Sequence, residues 1–113
     1  MDWQAYMADF KNDIRKLNKA APEATRAFGA LSKAVKESGP LDARTKEFIA
    51  LGIAVATGCT PCIGFHAEVL AREGATREEV ADALSMAIQM GGGPALMKAA
   101  EALAAFDAFA GER

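Results

Sequence analysis

Apolar residues recur along this chain at helical spacing, and the strict apolar–polar alternation of strands is nearly absent. Residues 2–20 form the first predicted helix, with Trp3, Tyr6, Met7, Phe10, Ile14 and Leu17 along one stripe. Pro22 suits the first turn of a second helix. Its predicted inner face is Ala24, Ala27, Phe28, Leu31 and Val35, and Gly39-Pro40 stops it. A third helix is expected from about Asp42, placed to cap it, to Thr57. The first half of that helix is charged. The second half (Phe48, Ile49, Leu51, Ile53, Val55) is apolar on nearly every side, which predicts burial all round.

Gly58 can end the third helix in a left-handed turn. In a fourth helix, Thr60 is expected to cap, Pro61 to take the first position and Gly74 to close. Thr76-Arg77-Glu78-Glu79 has the form of a capping box for a fifth helix. The inner face of that helix is predicted as Val80, Ala83, Leu84, Ala87 and Ile88, and Met86 and Met90 read as core packing. Gly91-Gly92-Gly93 breaks it, and Pro94 opens a sixth helix reaching about Phe109. Trp3, Tyr6 and Phe10 read as core or subunit contacts. The pattern predicts a single all-α domain of about six helices over residues 1–113. Residues 1–40 form an N-terminal helical pair, and residues 41–110 form the core.

Composition narrows the function classes. The chain has 113 residues, 51% of them apolar, which is enough for one core. Net charge is −2, and the 13 basic and 15 acidic side chains are mixed along the sequence. No basic stripe marks a nucleic-acid partner, and no polybasic patch marks a membrane surface. The most apolar stretch, Phe48 to Cys59, falls short of the ~20 residues that span a bilayer. Met1-Asp2-Trp3-Gln4 carries no basic region ahead of an apolar run. The expectation is a cytoplasmic protein.

The candidate chemistry lies between residues 47 and 66. Cys59 and Cys62, in Cys59-Thr60-Pro61-Cys62, are the chain's two cysteines. A bridge over so short a span restrains almost nothing in the unfolded chain, so a structural role for it is weak. A thiol attacks as its thiolate. Unpaired N–H groups and the helix dipole at a helix start favour that negative charge. His66 lies four residues after Cys62, on the same helical face, where an imidazole can move the thiol proton. Glu47 and Glu68 are the nearest partners for His66 by sequence, and Glu68, two residues away, points elsewhere on the helix. Glu47 stands at the edge of the apolar half of the third helix, where burial demands a partner. Register opposes that pairing: Glu47 lies roughly 16 Å before Gly58 and His66 only ~9 Å beyond Thr60, so strictly antiparallel helices would miss by several ångströms. Lys46 or Arg44 could pair with Glu47 instead.

Glu47, then Cys59-Thr60-Pro61-Cys62-Ile63-Gly64-Phe65-His66, resembles the AhpD-like alkylhydroperoxidase group of the carboxymuconolactone decarboxylase superfamily. That group carries a glutamate, twelve residues, a C-x-x-C pair and a histidine four past the second cysteine. Gly74-Ala75-Thr76-Arg77-Glu78-Glu79-Val80 also resembles the family's turn and helix start, and the likeness covers roughly residues 40–105. It implies a helical subunit that forms trimers or hexamers, with no haem, flavin or metal cofactor. It implies that Cys62 attacks a hydroperoxide substrate and that Cys59 resolves the sulfenic acid and meets a protein or small-molecule dithiol reductant. His66 and Glu47 would relay protons. Some relatives carry a histidine where this chain has Pro61, a difference that bears on thiol acidity.

Three other readings stay open on the residues alone. The domain could be a non-catalytic oligomeric module that senses redox state or binds a ligand. It could be a lyase or decarboxylase using only His66 and Glu47. Two cysteines and one histidine make a poor zinc site, but a second subunit could complete one.

Overall fold

The structure, a computed structural model, describes residues 1–111. In chain order the helices are α1 (Trp3–Ala20), α2 (Pro22–Glu37), α3 (Ala43–Thr57), α4 (Thr60–Arg72), α5 (Arg77–Gly91) and α6 (Gly93–Ala110). No strand occurs among the described residues. Several local signals have their physical counterparts. Asp42 caps α3 by accepting from Thr45 N at 2.7 Å. Gly58 ends α3 with φ +71°, a left-handed conformation that glycine adopts without a Cβ penalty. Thr76 and Glu79 close the reciprocal capping box of α5.

The core is built mainly by α3, α4, α5 and α6. Leu51 and Val55 of α3 meet Ile63, Ala67 and Leu70 of α4, with Val80 and Leu84 of α5. Helix α6 contributes a stripe of small residues, Ala95, Ala99, Ala102 and Ala105, followed by Phe106 and Phe109. Small side chains along one face let the α4 and α6 backbones approach closely, and this is the most extensive helix pair in the molecule. From α1, Trp3 and Met7 complete the cluster. Met7 sits over Gly64, where a Cβ would stand 2.2 Å from the methionine sulfur. That glycine leaves the room the Met7 side chain fills between α1 and α4.

Three packing expectations are corrected. No residue of α2 is buried, and Phe28, Leu31 and Val35 of its predicted inner face are 69%, 58% and 53% exposed. The apolar end of α3 is buried on one side only, since Ile49 and Ile53 face outward. Met86 and Met90 do not pack in the core. They stand exposed beside Ile49 and Ile53 on a groove of about 380 Å³ between α3 and α5. The physical reason is common to all three: an apolar face needs a neighbour, and among the described residues no helix covers these.

Candidate redox site

The site begins at the turn between α3 and α4. Gly58 reverses the chain and delivers Cys59 to the N-cap of α4. The expectation that Thr60 caps this helix is corrected: Thr60 is its first residue, and Cys59 Sγ accepts from Cys62 N at 3.3 Å. A sulfur thus takes the place of the usual cap oxygen. Cys59 and Cys62 form a disulfide, with their Cα atoms 5.3 Å apart. Both cysteines are partly exposed, and Cys62 packs against the core.

Glu47 is buried, 5% exposed, and its Oε2 lies 2.6 Å from His66 Nδ1. The register mismatch expected for strictly antiparallel helices therefore does not keep the two side chains apart. A carboxylate only accepts, so Nδ1 carries the hydrogen and Nε2 of the neutral ring is left with its lone pair. The bond to His66 holds the Glu47 carboxyl below the usual carboxylate range, against the opposing pull of burial. Lys36 Nζ of α2 adds to this from 3.8 Å at Glu47 Oε1. Glu68, the other candidate, pairs with Lys11 of α1 at 2.9 Å.

The alternative partners for Glu47 are engaged elsewhere. Lys46 donates to the carbonyls of Val35 and Ser38 at the end of α2. Arg44 donates to the Glu73 carbonyl at 2.7 Å. Among the described residues, no group of three or more His, Cys, Asp or Glu side chains converges as metal ligands.

The Carboxymuconolactone decarboxylase family model matches residues 22–105, which takes in α2 through most of α6 and every residue of this site. The chain belongs to that family. A crystal structure of an apo carboxymuconolactone decarboxylase family protein from Legionella pneumophila superposes with a TM-score of 0.91 at 45% identity, covering 96% of each chain. A family member from Thermotoga maritima, described in connection with an antioxidative response, gives 0.79 at 26% identity over 90% of this chain and 87% of its own. An uncharacterized protein of Cupriavidus necator is 41% identical over 107 residues, 95% of each chain. The family membership and the helical fold agree with the resemblance carried by the Glu47–His66 segment.

Two residues beside this candidate site escaped the sequence reading. Lys36 reaches Glu47 across helices that are separated in sequence by a loop. Lys98 of α6 donates to Thr60 Oγ1 at 3.2 Å and pairs with Glu101 at 3.0 Å. The one available signal was that Lys98 is the sole basic residue in α6, set beside its buried alanine stripe.

Proposed function

We propose that this chain is a thiol-dependent peroxidase or disulfide oxidoreductase, acting through Cys59 and Cys62 with His66 and Glu47 as proton relay. One observation carries the reading: a dithiol closed at a helix start, one turn from an imidazole whose other nitrogen is fixed by a buried carboxylate. In the reduced protein the Cys62 thiolate attacks one oxygen of a hydroperoxide. The O–O bond breaks, Cys62 becomes a sulfenic acid, and the leaving alkoxide takes a proton relayed through His66. Cys59 as thiolate then attacks the Cys62 sulfur. The S–O bond breaks, water leaves, and the disulfide forms.

An external dithiol returns the two electrons. Its first thiolate attacks Cys59, and Cys62 leaves as thiolate with His66 beside it in the helix. The reductant's second thiolate then attacks its own mixed-disulfide sulfur and releases Cys59. Glu47 keeps the His66 ring in one tautomer and orientation, so Nε2 is the nitrogen that exchanges protons. Such a cycle suits a reducing cytoplasm, where external dithiols are available.

The test is peroxide consumption by the reduced protein, supplied with a dithiol and followed by free-thiol counts. Each hydroperoxide reduced should consume two thiols. Cys62→Ser should abolish turnover, and His66→Asn should slow it by about 10²–10⁴-fold. Retention of both thiols after prolonged exposure of a folded sample defeats the reading. Oxidation without sustained turnover under any dithiol would instead assign a redox-sensing module. The exposed apolar faces of α2 and the α3–α5 groove further support assembly of several copies, which sedimentation at rising concentration tests.

A further inference from the structure

Lys98 reaches the dithiol turn from α6, thirty-eight residues away in sequence from Thr60. Its Nζ is 3.2 Å from Thr60 Oγ1, and its Cε is 3.9 Å from where a Cβ on Gly58 would stand. Gly58 and Thr60 are the two residues that bracket Cys59. The lysine side chain therefore lies across the turn that holds this one sulfur, and it is 30% exposed there. The same sulfur accepts from the Cys62 backbone N–H at the start of α4.

We propose that Lys98 is a positioning residue for charge that stabilises the thiolate of Cys59. The proposal rests on the dithiol cycle above and divides the labour within it. Cys62 has His66 four residues along its own helix; Cys59 has Lys98. The Cys59 thiolate occurs twice in the cycle. It forms the new S–S bond when it attacks the Cys62 sulfenic acid, as the S–O bond breaks and water departs. It also keeps the electron pair when the mixed disulfide with the external dithiol breaks and the reductant's second sulfur takes its place. A nearby ammonium favours both events, because each develops or uses negative charge on the same sulfur.

The charged groups around the dithiol divide by element. On α6 are Lys98 and its partner Glu101. On α4 is His66, held by Glu47 of α3, with Lys36 of α2 behind it. Glu101 offsets part of the Lys98 charge, so the two α6 residues should move Cys59 in opposite directions.

The experiment titrates single thiols in the full chain. Cys62→Ser leaves Cys59 as the sole thiol, and Cys59→Ser leaves Cys62. Thiolate absorbance and the rate of alkylation by iodoacetamide are followed against pH at low and high salt. In the Cys59-only protein, Lys98→Met should lower the thiolate fraction at pH 7 by about three- to tenfold. Lys98→Arg should restore it, and Glu101→Gln should raise it. High salt should shrink the Lys98→Met difference. The Cys62-only protein should respond weakly to the same changes. An unchanged Cys59 titration in Lys98→Met overturns the proposal. So does an equal response of both cysteines, or an Arg variant that behaves like Met. None of these readouts requires peroxide, so a protein that fails to consume hydroperoxide can still pass or fail this test.

Discussion

Helices α2 and α4 are both amphipathic by sequence, and the fold treats them in opposite ways. Ile63, Ala67, Leu70 and Ala71 of α4 are sealed in the core. Phe28, Leu31 and Val35 of α2 stand in solvent, and the chief polar ties of that helix to the site are Lys36 on Glu47 and the Lys46 bonds to its last turn. Hydrophobic periodicity names a face but not what covers it. Helix α4 packs extensively on α6, whereas among the described residues α2 touches only α1 and α3, and those sparsely. The candidate site lies where these two regimes join: Cys59, Cys62 and His66 belong to the sealed helix and its cap, and Lys36 rides on the open one.

The largest effects should separate the two regions by stability. Phe106→Ala, in the sealed core, should cost about 3–5 kcal/mol in urea unfolding. Phe28→Ala should change subunit stability by no more than about 0.5 kcal/mol and should instead weaken self-association, read by sedimentation. Equal losses at both positions would erase the distinction between the helices.

Two glycines sharpen the same contrast. Gly64→Ala places a Cβ 2.2 Å from the Met7 sulfur, so the buried Met7 side chain must repack between α1 and α4, and the expected loss is about 1–3 kcal/mol. Gly29→Ala, with no atom within 4 Å of its added Cβ, should stabilise α2 by about 0.5–1 kcal/mol. A destabilising Gly29→Ala would mean that the α2 face is already covered in solution.

A smaller effect probes the join between the regions. The folded Glu47 carboxyl is held below its unfolded value, chiefly by His66. Its stabilising contribution is therefore present above the ordinary glutamate range and is lost as pH falls through the lowered folded value. Wild type and Glu47→Gln should differ by about 1 kcal/mol near neutrality and converge in acid, by urea unfolding across pH. Because Lys36 is the lesser cause, Lys36→Met should remove only a fraction of that difference. A gap that widens in acid would reverse the assigned sign.

The helices and most of their ends were legible in the sequence because caps and breaks are local: Asp42 before α3, Gly58 after it, and the Thr76–Glu79 box act within a few residues. The cysteine pair and His66 were legible for the same reason, being one helical turn apart. The Glu47–His66 bond was readable as chemistry but not as geometry, since its length depends on how α3 crosses α4. Lys36 and Lys98 were invisible because each reaches the site from another helix, and a lysine's spacing along its own helix carries no record of what that helix packs against. The sequence by itself determined which segments become helices and which residue types could exchange a disulfide and a proton. Only the tertiary structure decided which apolar faces are sealed, which cations stand at the carboxylate and beside the sulfur turn, and that a buried Glu47 holds His66. Those outcomes depend on the mutual placement of helices, which local backbone preferences do not specify.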